Sequence, residues 1–240
     1  GIVYFAYHTY DSETNGVYKV GRNGKPKRLP GSSEIVYPDG LALDWDGNLY
    51  ASDYGPGTIW KYEKGQKFEL WLEHEFLECY PFDPFPMTLG GANGLAFYPP
   101  NILYAANTEK SNVIKIDISP DGSAGNVSQL TPELVNGGIM TTLDGIAVAA
   151  NGNVYAISPA CTPTGFPPLW KIDPANGNCV PVPVDDTKFD FPTSLAFGTR
   201  GVESRATMYI VNSDLVPDPS MGSGPGVVKV FVGEFGLPIR

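Results

Sequence analysis

Short apolar segments separated by turn residues recur along the chain, and their pattern predicts β-strands. The first segment type, strand A, opens with a turn and continues as a short apolar strand. Its copies are YPDGLAL (37–43), GANGLAF (91–97), TLDGIAV (142–148) and FPTSLAF (191–197). They follow one another about every 50 residues, which is the spacing of a repeat architecture. No stretch sustains the 3.6-residue period of an amphipathic helix, so a helical solenoid is disfavoured.

Two further strand types follow each strand A. Strand B ends in a polar residue and reads LYASD (49–53), LYAAN (103–107), VYAIS (154–158) and MYIVN (208–212). Strand C has a central lysine and reads VYKV (17–20), IWKY (59–62), IKI (114–116), LWKI (169–172) and VKV (228–230). We expect this lysine to cap a strand face in solvent or to pair with an acid of a neighbouring unit. A less regular strand D, such as 68–72, completes the unit.

Four-stranded units of this length are typical of β-propeller blades. The sequence therefore predicts an all-β protein, a single β-propeller domain over residues 1–240 with four-stranded antiparallel blades. The predicted units are a partial blade at 1–34, blades at about 35–85, 86–140 and 141–190, and a last blade at 191–240. Residues 2–6 align with strand B and no strand A precedes them, so we expect the first blade to be incomplete.

The charge of the chain narrows the range of partners. The formal net charge is −10 at pH 7. This field repels a phosphate backbone, so nucleic acid is not expected as a partner, whereas cations and neutral ligands are compatible with it. No apolar run reaches the ~18 residues needed to cross a membrane, so no membrane span is expected. The two histidines, His8 and His74, are too few for a multi-histidine metal site.

The motifs also resemble a known family. The openings YPDG (37–40), ANG (92–94) and LDG (143–145), followed by PTSLAFG (192–198) and MYI (208–210), are similar to the senescence-marker-protein, gluconolactonase and luciferin-regenerating-enzyme family of propellers. The order of the motifs matches over about residues 35–232. This resemblance implies a six-bladed ring, with the first blade missing or incomplete in this chain, and a divalent metal in the central channel. Members of the family include lactone hydrolases.

The resemblance also implies roles for particular residues. Asn93 and Asp144 match two metal ligands of the family, and Asp144 is the candidate general base. Two positions depart from the family pattern. The first-blade glutamate ligand has no counterpart, and Pro38, with Asp39 beside it, stands at a substrate-contacting asparagine. We therefore expect this 240-residue span to have weak or no lactonase activity on its own.

The repeat by itself predicts a site on the ring axis. Asp39, Asn93, Asp144 and Thr193 occupy the same position of strand A, so a ring brings them to one axis. Their oxygens suit a hard divalent cation, Ca²⁺ first and otherwise Mg²⁺, Mn²⁺ or Zn²⁺. We expect Asn93, Asp144 and Asp39 to hold the cation and Thr193 to contact a small-molecule ligand or substrate in the central channel. The alternative is that Asp-Gly and Asn-Gly serve only as turn formers.

Polar residues at the ends of strand B are candidates for substrate binding. These are Asp53, Asn107, Ser158 and Asn212. In a propeller they lie at the same mouth as the axial residues, about one strand spacing (~4.8 Å) further out. The alternative is that they cap the strand ends. Long loops at 75–88, 158–168 and 213–226 border this mouth, and five aromatic residues would line it or pack against its rim. They are Phe76, Tyr80, Phe82, Phe85 and Phe166.

Cysteine positions and a sequon indicate the compartment. Cys161 and Cys179 are the predicted disulfide because they flank one strand C at short separation, and Cys79 competes as a partner for Cys161. A bridge of either kind requires an oxidising compartment. The sequon NVS (126–128) has meaning only in a secreted eukaryotic chain. We therefore expect an extracellular, secreted protein, with a cytoplasmic protein as the alternative.

Together these features predict a metal-dependent hydrolase of the gluconolactonase type. It would open a lactone or similar small ester with metal-activated water. The alternative is a non-catalytic propeller that binds a small ligand or a protein partner through its top-face loops. Motifs of serine hydrolases, phosphate-binding loops, dinucleotide-binding folds and zinc proteases do not occur in the sequence.

Overall fold

The computed structural model describes residues 1–79, 90–132, 142–159, 167–213 and 224–238. Over these ranges the chain forms five antiparallel sheets, the blades of a β-propeller. The predicted all-β propeller class is confirmed. In the ranges above, no helix is long and apolar enough to cross a membrane. Four residues of the predicted aromatic mouth lie outside the described residues, namely Tyr80, Phe82, Phe85 and Phe166.

The strands follow one another in blade order. The first sheet contains β1 (Val3–Tyr7), β2 (Gly16–Val20) and β3 (Pro26–Arg28). The second contains β4 (Pro38–Leu43), β5 (Leu49–Asp53), β6 (Thr58–Tyr62) and β7 (Phe68–Glu73). The third contains β8 (Ala92–Tyr98), β9 (Ile102–Asn107), β10 (Asn112–Ile118) and β11 (Ala124–Gln129).

The remaining two sheets continue the pattern. The fourth contains β12 (Ile146–Val148), β13 (Val154–Ile157), β14 (Leu169–Ile172) and β15 (Cys179–Pro181). The fifth contains β16 (Pro192–Phe197), β17 (Thr207–Asn212) and β18 (Gly226–Phe231). Short 3-10 turns occur at Ser32–Glu34 and Asp186–Lys188, and helix α1 spans Gly201–Arg205.

Each sheet is a meander in which consecutive strands pair. The three middle sheets have strands A to D, so the four-stranded blade predicted from the repeat is present there. In the described residues the first sheet has no strand A and the fifth has no strand D. Successive A strands, β4, β8, β12 and β16, contact one another. The described ranges thus form five blades, and the six-bladed ring implied by the family resemblance differs from them in this detail.

The hydrophobic core lies between neighbouring sheets. One buried cluster joins the second and third sheets and includes Ile59 and Leu103. The next joins the third and fourth sheets and includes Val113 and Trp170. Further clusters join the fourth sheet to the fifth and the first sheet to the second. Because each of the three middle blades buries its two faces against two neighbours, its strands read as almost continuous apolar runs.

A tyrosine of strand B pairs with the lysine of strand C in every sheet. The pairs are Tyr4 with Lys19, Tyr50 with Lys61, Tyr104 with Lys115, Tyr155 with Lys171 and Tyr209 with Lys229. The ammonium groups in two of them, Lys61 and Lys229, lie 6.0 and 5.6 Å from the partner ring centroids. Such cation–π contacts give the repeated lysine a structural role. Lys171 also bonds Glu234, which follows the fifth sheet.

Candidate functional site

Irregular pairing at the start of the inner strands places the axial side chains. The pairing register shifts at the beginning of β4, β8 and β16. Asp39, Asn93 and Thr193 lie at these shifts, and Asp144 lies just before β12. An irregularity of this kind bends the strand and re-aims its side chains. As a result, the four predicted axial residues line one cavity of about 410 Å³.

Three glycines of strand A allow neighbouring blades to approach at the axis. A Cβ atom on Gly40 would lie 3.0 Å from the carbonyl carbon of Asn93. One on Gly94 would lie 2.8 Å from the Cα atom of Gly145, and one on Gly145 would lie 2.8 Å from the Cα atom of Ser194. None of the three glycines has a positive φ. The glycines after Asp39, Asn93 and Asp144 are therefore required by close backbone approach and not by a left-handed conformation.

Hydrogen bonds fix the orientation of Asn93. Its amide nitrogen Nδ2 donates to Thr108 Oγ1 at 3.0 Å, and Thr108 Oγ1 donates to the Leu143 carbonyl at 2.8 Å. A further hydrogen bond joins the Asn93 side chain to the Asp144 carboxylate. Asn93 is buried, so its polar groups need these partners. Asn93 thus links the third blade to the fourth and orients Asp144.

Two carboxyl groups share the cavity with no cationic side chain among its described lining residues. Burial raises the pKa of Asp39 to about 6. Burial, and then the negative charge of Asp39, raise the pKa of Asp144 well above its usual range, while the hydrogen bond from Asn93 opposes the rise. A cation placed beside the two groups would favour their ionised forms, because an opposite charge offsets the cost of burial.

An aromatic row, formed by His8, Tyr37 and Tyr54, lies where the first sheet meets the second. The rings of His8 and Tyr37 are stacked, with centroids 3.5 Å apart and planes inclined by 14°. The centroids of Tyr37 and Tyr54 are 5.2 Å apart. Burial, and then the charges of Asp39 and Asp144, raise the pKa of both tyrosines. Our sequence analysis missed this row, although Tyr37 stands only two residues before an axial donor.

The polar ends of strand B do not line the axial cavity. They are the side chains of Asp53, Asn107, Ser158 and Asn212, and all four are buried. The Asp53 carboxylate accepts hydrogen bonds from the amides of Val36 and Tyr37, each at 2.8 Å. These bonds hold the segment that leads into β4. Asp53 therefore supports the strand that carries Asp39.

Two of the remaining strand B end residues donate side-chain hydrogen bonds to backbone carbonyls outside the strands. Asn107 Nδ2 donates to the carbonyls of Phe76 and Glu78 at 3.1 and 2.9 Å. Asn212 Nδ2 donates to the Lys188 carbonyl at 2.8 Å. These contacts match the alternative in which such residues cap strand ends. A role in binding substrate hydroxyls stays a prediction and would require the side chains to leave these bonds.

The donor set at the axis fits a hard divalent cation. Within the described ranges, no three side chains among histidine, cysteine, aspartate and glutamate are grouped so that they could hold a metal ion. The cavity offers instead two carboxylates, one amide and one hydroxyl. Oxygen donors of these kinds suit Ca²⁺ and Mg²⁺ better than Zn²⁺, which prefers histidine and cysteine.

The cysteines are thiols in the described part of the chain. Cys79 and Cys179 are both free, and Cys179 Sγ lies 3.2 Å from the Gly177 carbonyl oxygen. Cys161 lies outside the described residues. The bridge between Cys161 and Cys179 therefore stays a prediction, as does secretion. Phe76 packs partly buried against the core between the second and third sheets, which favours rim packing over a place in the mouth.

Known structures share the fold at low sequence identity. A luciferin-regenerating enzyme gives a TM-score of 0.63 at 16% identity, over 93% of this chain and 73% of that one. A calcium-binding protein, regucalcin, from Agrobacterium tumefaciens gives 0.65 at 14% identity, over 93% and 72%. A gluconolactonase from Xanthomonas campestris gives 0.57 at 15% identity, over 83% and 63%.

These neighbours come from the protein families that the strand A motifs resemble, so the resemblance extends to the fold. No protein-family model and no curated protein matches the sequence. The chain spans less than two thirds of the length of the gluconolactonase. At these identities the likeness concerns the fold, and the chemistry has to be argued from the axial cavity.

Proposed function

We propose that the chain is a lactonase-type hydrolase that opens a small cyclic ester in the axial cavity. The observation that carries the proposal is the pair of carboxyl groups with raised pKa, Asp39 and Asp144, at the point where the inner strands converge. A carboxyl group whose pKa approaches neutrality is suited to move protons at neutral pH. The fold shared with a gluconolactonase supports the same reaction class.

Each axial residue has a role in this proposal. Asp144 accepts the proton of the attacking water and returns it to the ring oxygen as the acyl C–O bond breaks, and Asn93 holds the Asp144 carboxylate in position through their hydrogen bond. Asp39 raises the basicity of Asp144 through its charge. Thr193 offers a hydroxyl to the substrate from the fifth blade. A divalent cation held by Asp39, Asn93 and Asp144, Ca²⁺ first and otherwise Mg²⁺, Mn²⁺ or Zn²⁺, would polarise the ester carbonyl.

We also propose that the active ring has six blades. Support comes from the described sheets, since the first has no strand A and the fifth has no strand D. A further blade would add its own axial residue to a site that has only two carboxylates. Without that residue a cation is held weakly, so the 240-residue span should show little lactonase activity unless another blade completes the ring.

The test compares hydrolysis of small aldonolactones and simple lactones, with and without each cation, by this span and by a protein whose ring is complete, and the variants are made in the complete ring. Asp144→Asn keeps the shape of the side chain and removes the base, so the rate should fall by ~10²–10⁴. Asp121→Asn is the control, because Asp121 is an exposed carboxylate outside the cavity. Equal hydrolysis by the Asp144→Asn and Asp121→Asn proteins would show that the base has been assigned wrongly.

The second candidate function is binding without chemistry. It is favoured by the engagement of the strand B ends with loop backbone, because polar atoms used in these bonds are not offered to a reacting substrate. Calorimetric titration of Ca²⁺ and of lactones separates the two functions. Lactone binding with no turnover, in a protein whose ring is complete, would favour the binding module.

A further inference from the structure

An open cavity of about 550 Å³ lies on the fifth sheet, away from the axial site. It lies where β17 starts and β18 ends, whereas the axial residue Thr193 lies at the opposite end of the sheet, where β16 starts. Met208 and Val230 pack into the core shared with the fourth sheet, so their neighbours along β17 and β18 face the other way. Four of these neighbours line the cavity, namely Thr207, Tyr209, Lys229 and Phe231.

The same repeat positions hold a carboxylate in the fourth blade. Lys171 Nζ bonds the Glu234 carboxylate. Asn153 Nδ2 donates to the two carboxylate oxygens at 3.1 and 3.0 Å, and the Tyr155 hydroxyl is also hydrogen-bonded to Glu234. The three positions are the strand C lysine, the strand B tyrosine opposite it and the residue two before that tyrosine. In the fifth blade they are occupied by Lys229, Tyr209 and Thr207.

The second blade also brings carboxylates to these positions. Asn48 Nδ2 donates to Asp44 Oδ2 at 2.8 Å, and the Tyr50 hydroxyl lies 3.3 Å from the same oxygen. Lys61 Nζ forms an ion pair with Glu63 at 2.7 Å. The tyrosine and lysine of strands B and C therefore bind carboxylates in two blades, which makes carboxylate binding a property of the repeat position.

The fifth blade has an aromatic residue where the middle blades have an acid. Two residues after the strand C lysine, the fifth blade has Phe231, and the three middle blades have Glu63, Asp117 and Asp173. Among the described residues no ion pair involves Lys229, and the Phe231 side chain is 68% exposed. The fifth blade thus keeps the carboxylate-binding tyrosine and lysine and presents an exposed ring beside them.

Further groups at the cavity are compatible with an anion. Arg200 adds a second cation to the described lining, and Glu203 contributes one acid. Ser204 Oγ lies 3.3 Å from the Tyr209 hydroxyl and can donate to it, which leaves the Tyr209 proton for a ligand. The Thr207 hydroxyl donates to the Glu203 carbonyl at 2.8 Å, so it does not take the donor role that asparagine has in the fourth blade.

Packing of a neighbouring blade leaves space at this position of the repeat. Where the second blade meets the third, Lys61 Nζ donates to the Gly122 carbonyl at 3.1 Å. Cavities of about 300 and 390 Å³ remain next to this contact, the first lined by Lys61 and Gly122 and the second by Tyr50 and Gly122. A further blade beside the fifth should therefore leave the cavity at Lys229 accessible.

We propose that Arg200, Tyr209 and Lys229 form a binding site for a free organic carboxylate whose apolar or aromatic body lies on Phe231. The carboxylate takes the place that Glu234 has in the fourth blade. Charge-assisted hydrogen bonds from lysine, arginine and tyrosine hold it, and ring contacts with Phe231 hold the body of the ligand. This inference goes beyond the proposed function, because no residue of the axial cavity takes part in it.

The test measures binding of three small probes to the wild-type chain. 3-Phenylpropionate has a carboxylate and a ring, 3-phenylpropionamide lacks the charge, and propionate lacks the ring. The titrations use calorimetry or ligand-observed NMR at about 0.15 M salt, where charges beyond ~8 Å are largely screened. 3-Phenylpropionate should bind about tenfold more tightly than either of the other probes. Equal affinities for the three probes, or binding of none, would overturn the inference.

Variants locate the binding on the fifth blade. Lys229→Gln should weaken binding of 3-phenylpropionate by about fivefold or more and leave that of the amide unchanged. Phe231→Asp introduces the acid that the middle blades have, so it should abolish binding of the carboxylate. Lys115→Gln is the matched control, because Lys115 has the same repeat position and pairs with Asp117 at 3.9 Å. Thermal unfolding confirms that each protein is folded, and unchanged binding in Lys229→Gln and Phe231→Asp refutes the assignment.

A last comparison decides whether the carboxylate is a free ligand. The span and a protein whose ring is complete are both titrated with 3-phenylpropionate. Similar affinities support a site for a free carboxylate. Binding by the span alone would show that an acidic residue of the added blade fills the cavity, as Glu234 does in the fourth blade, and would refute the free-ligand site. Since no lactone is turned over in these titrations, their outcome does not depend on the hydrolase proposal.

Discussion

Replacing Asp39 with asparagine should stabilise the cation-free protein at neutral pH. Burial raises the pKa of this carboxyl group from 3.8 to about 6. When the folded-state pKa lies above the unfolded-state value, the free energy of unfolding falls as the pH rises through that interval, and the loss persists at higher pH. A rise from 3.8 to about 6 corresponds to about 3 kcal/mol of lost stability. Asparagine fills nearly the same space and never ionises.

The expected gain therefore depends on pH. With a chelator present, Asp39→Asn should raise the free energy of unfolding by up to about 3 kcal/mol at pH 7.5 and change it little at pH 4. For a chain of this size the gain corresponds to a rise of ~6–12 °C in the melting temperature. Urea and thermal unfolding between pH 4 and pH 8 measure both quantities. Ca²⁺ should stabilise the wild type more than the variant, because the variant has lost one charged donor.

The control is Asp121→Asn. Hydrogen bonds from Ser123 lower the pKa of the exposed Asp121, so its replacement should give no gain at pH 7.5. If Asp39→Asn changes stability equally at pH 4 and pH 7.5, the carboxylate is not an unfavourably buried charge. The electrostatic account of the axial cavity would then be wrong.

Two further predictions concern contacts that hold the blades. Gly94→Ala should lower the free energy of unfolding by ~2–3 kcal/mol, because a Cβ atom there meets the next blade. Gly226→Ala is the control: Gly226 lies on β18 with nothing within 4 Å of an added Cβ, so the free energy of unfolding should change by less than ~0.5 kcal/mol. Equal effects of the two substitutions in urea unfolding would refute the close approach of the blades at Gly94. Glu234→Gln should cost ~1–2 kcal/mol at pH 7, since Glu234 bonds Lys171 and Asn153. These bonds lower the pKa of Glu234, so the cost should shrink as the pH falls below 4.5, and a loss that does not vary with pH would contradict this.

The repeat predicted most of the fold because its physical cause is local. Each middle unit packs against a neighbour on both faces, so apolar runs of similar length recur with the blade. Irregular pairing at the start of β4, β8 and β16 could not be predicted, since it depends on how closely successive A strands approach. The number of blades also depends on the angle between sheets, which no single repeat specifies. The six-bladed ring therefore stays a proposal.

The site was predictable only where it follows the repeat. Asp39, Asn93, Asp144 and Thr193 come together because they hold one repeat position, and the structure places them in one cavity. The aromatic row breaks the repeat, since it joins a residue after β1 to residues of the second sheet. The polar residues at the ends of strand B could be located from the repeat, but their contacts could not be predicted. Whether these residues contact a ligand or the backbone of a loop depends on loop sequences that do not repeat.

In the axial cavity, neighbouring residues of the same short motif have opposite effects on the free energy of unfolding. In Asn93-Gly94 and Asp144-Gly145, the glycine permits the approach of the next blade, and the polar residue before it lines the cavity. The glycine stabilises the ring, whereas an ionised Asp144 opposes folding until a cation or proton offsets its charge. Stability and function should therefore separate by residue. Changes at the glycines should lower the free energy of unfolding, and changes at the carboxylates should raise it while removing the chemistry.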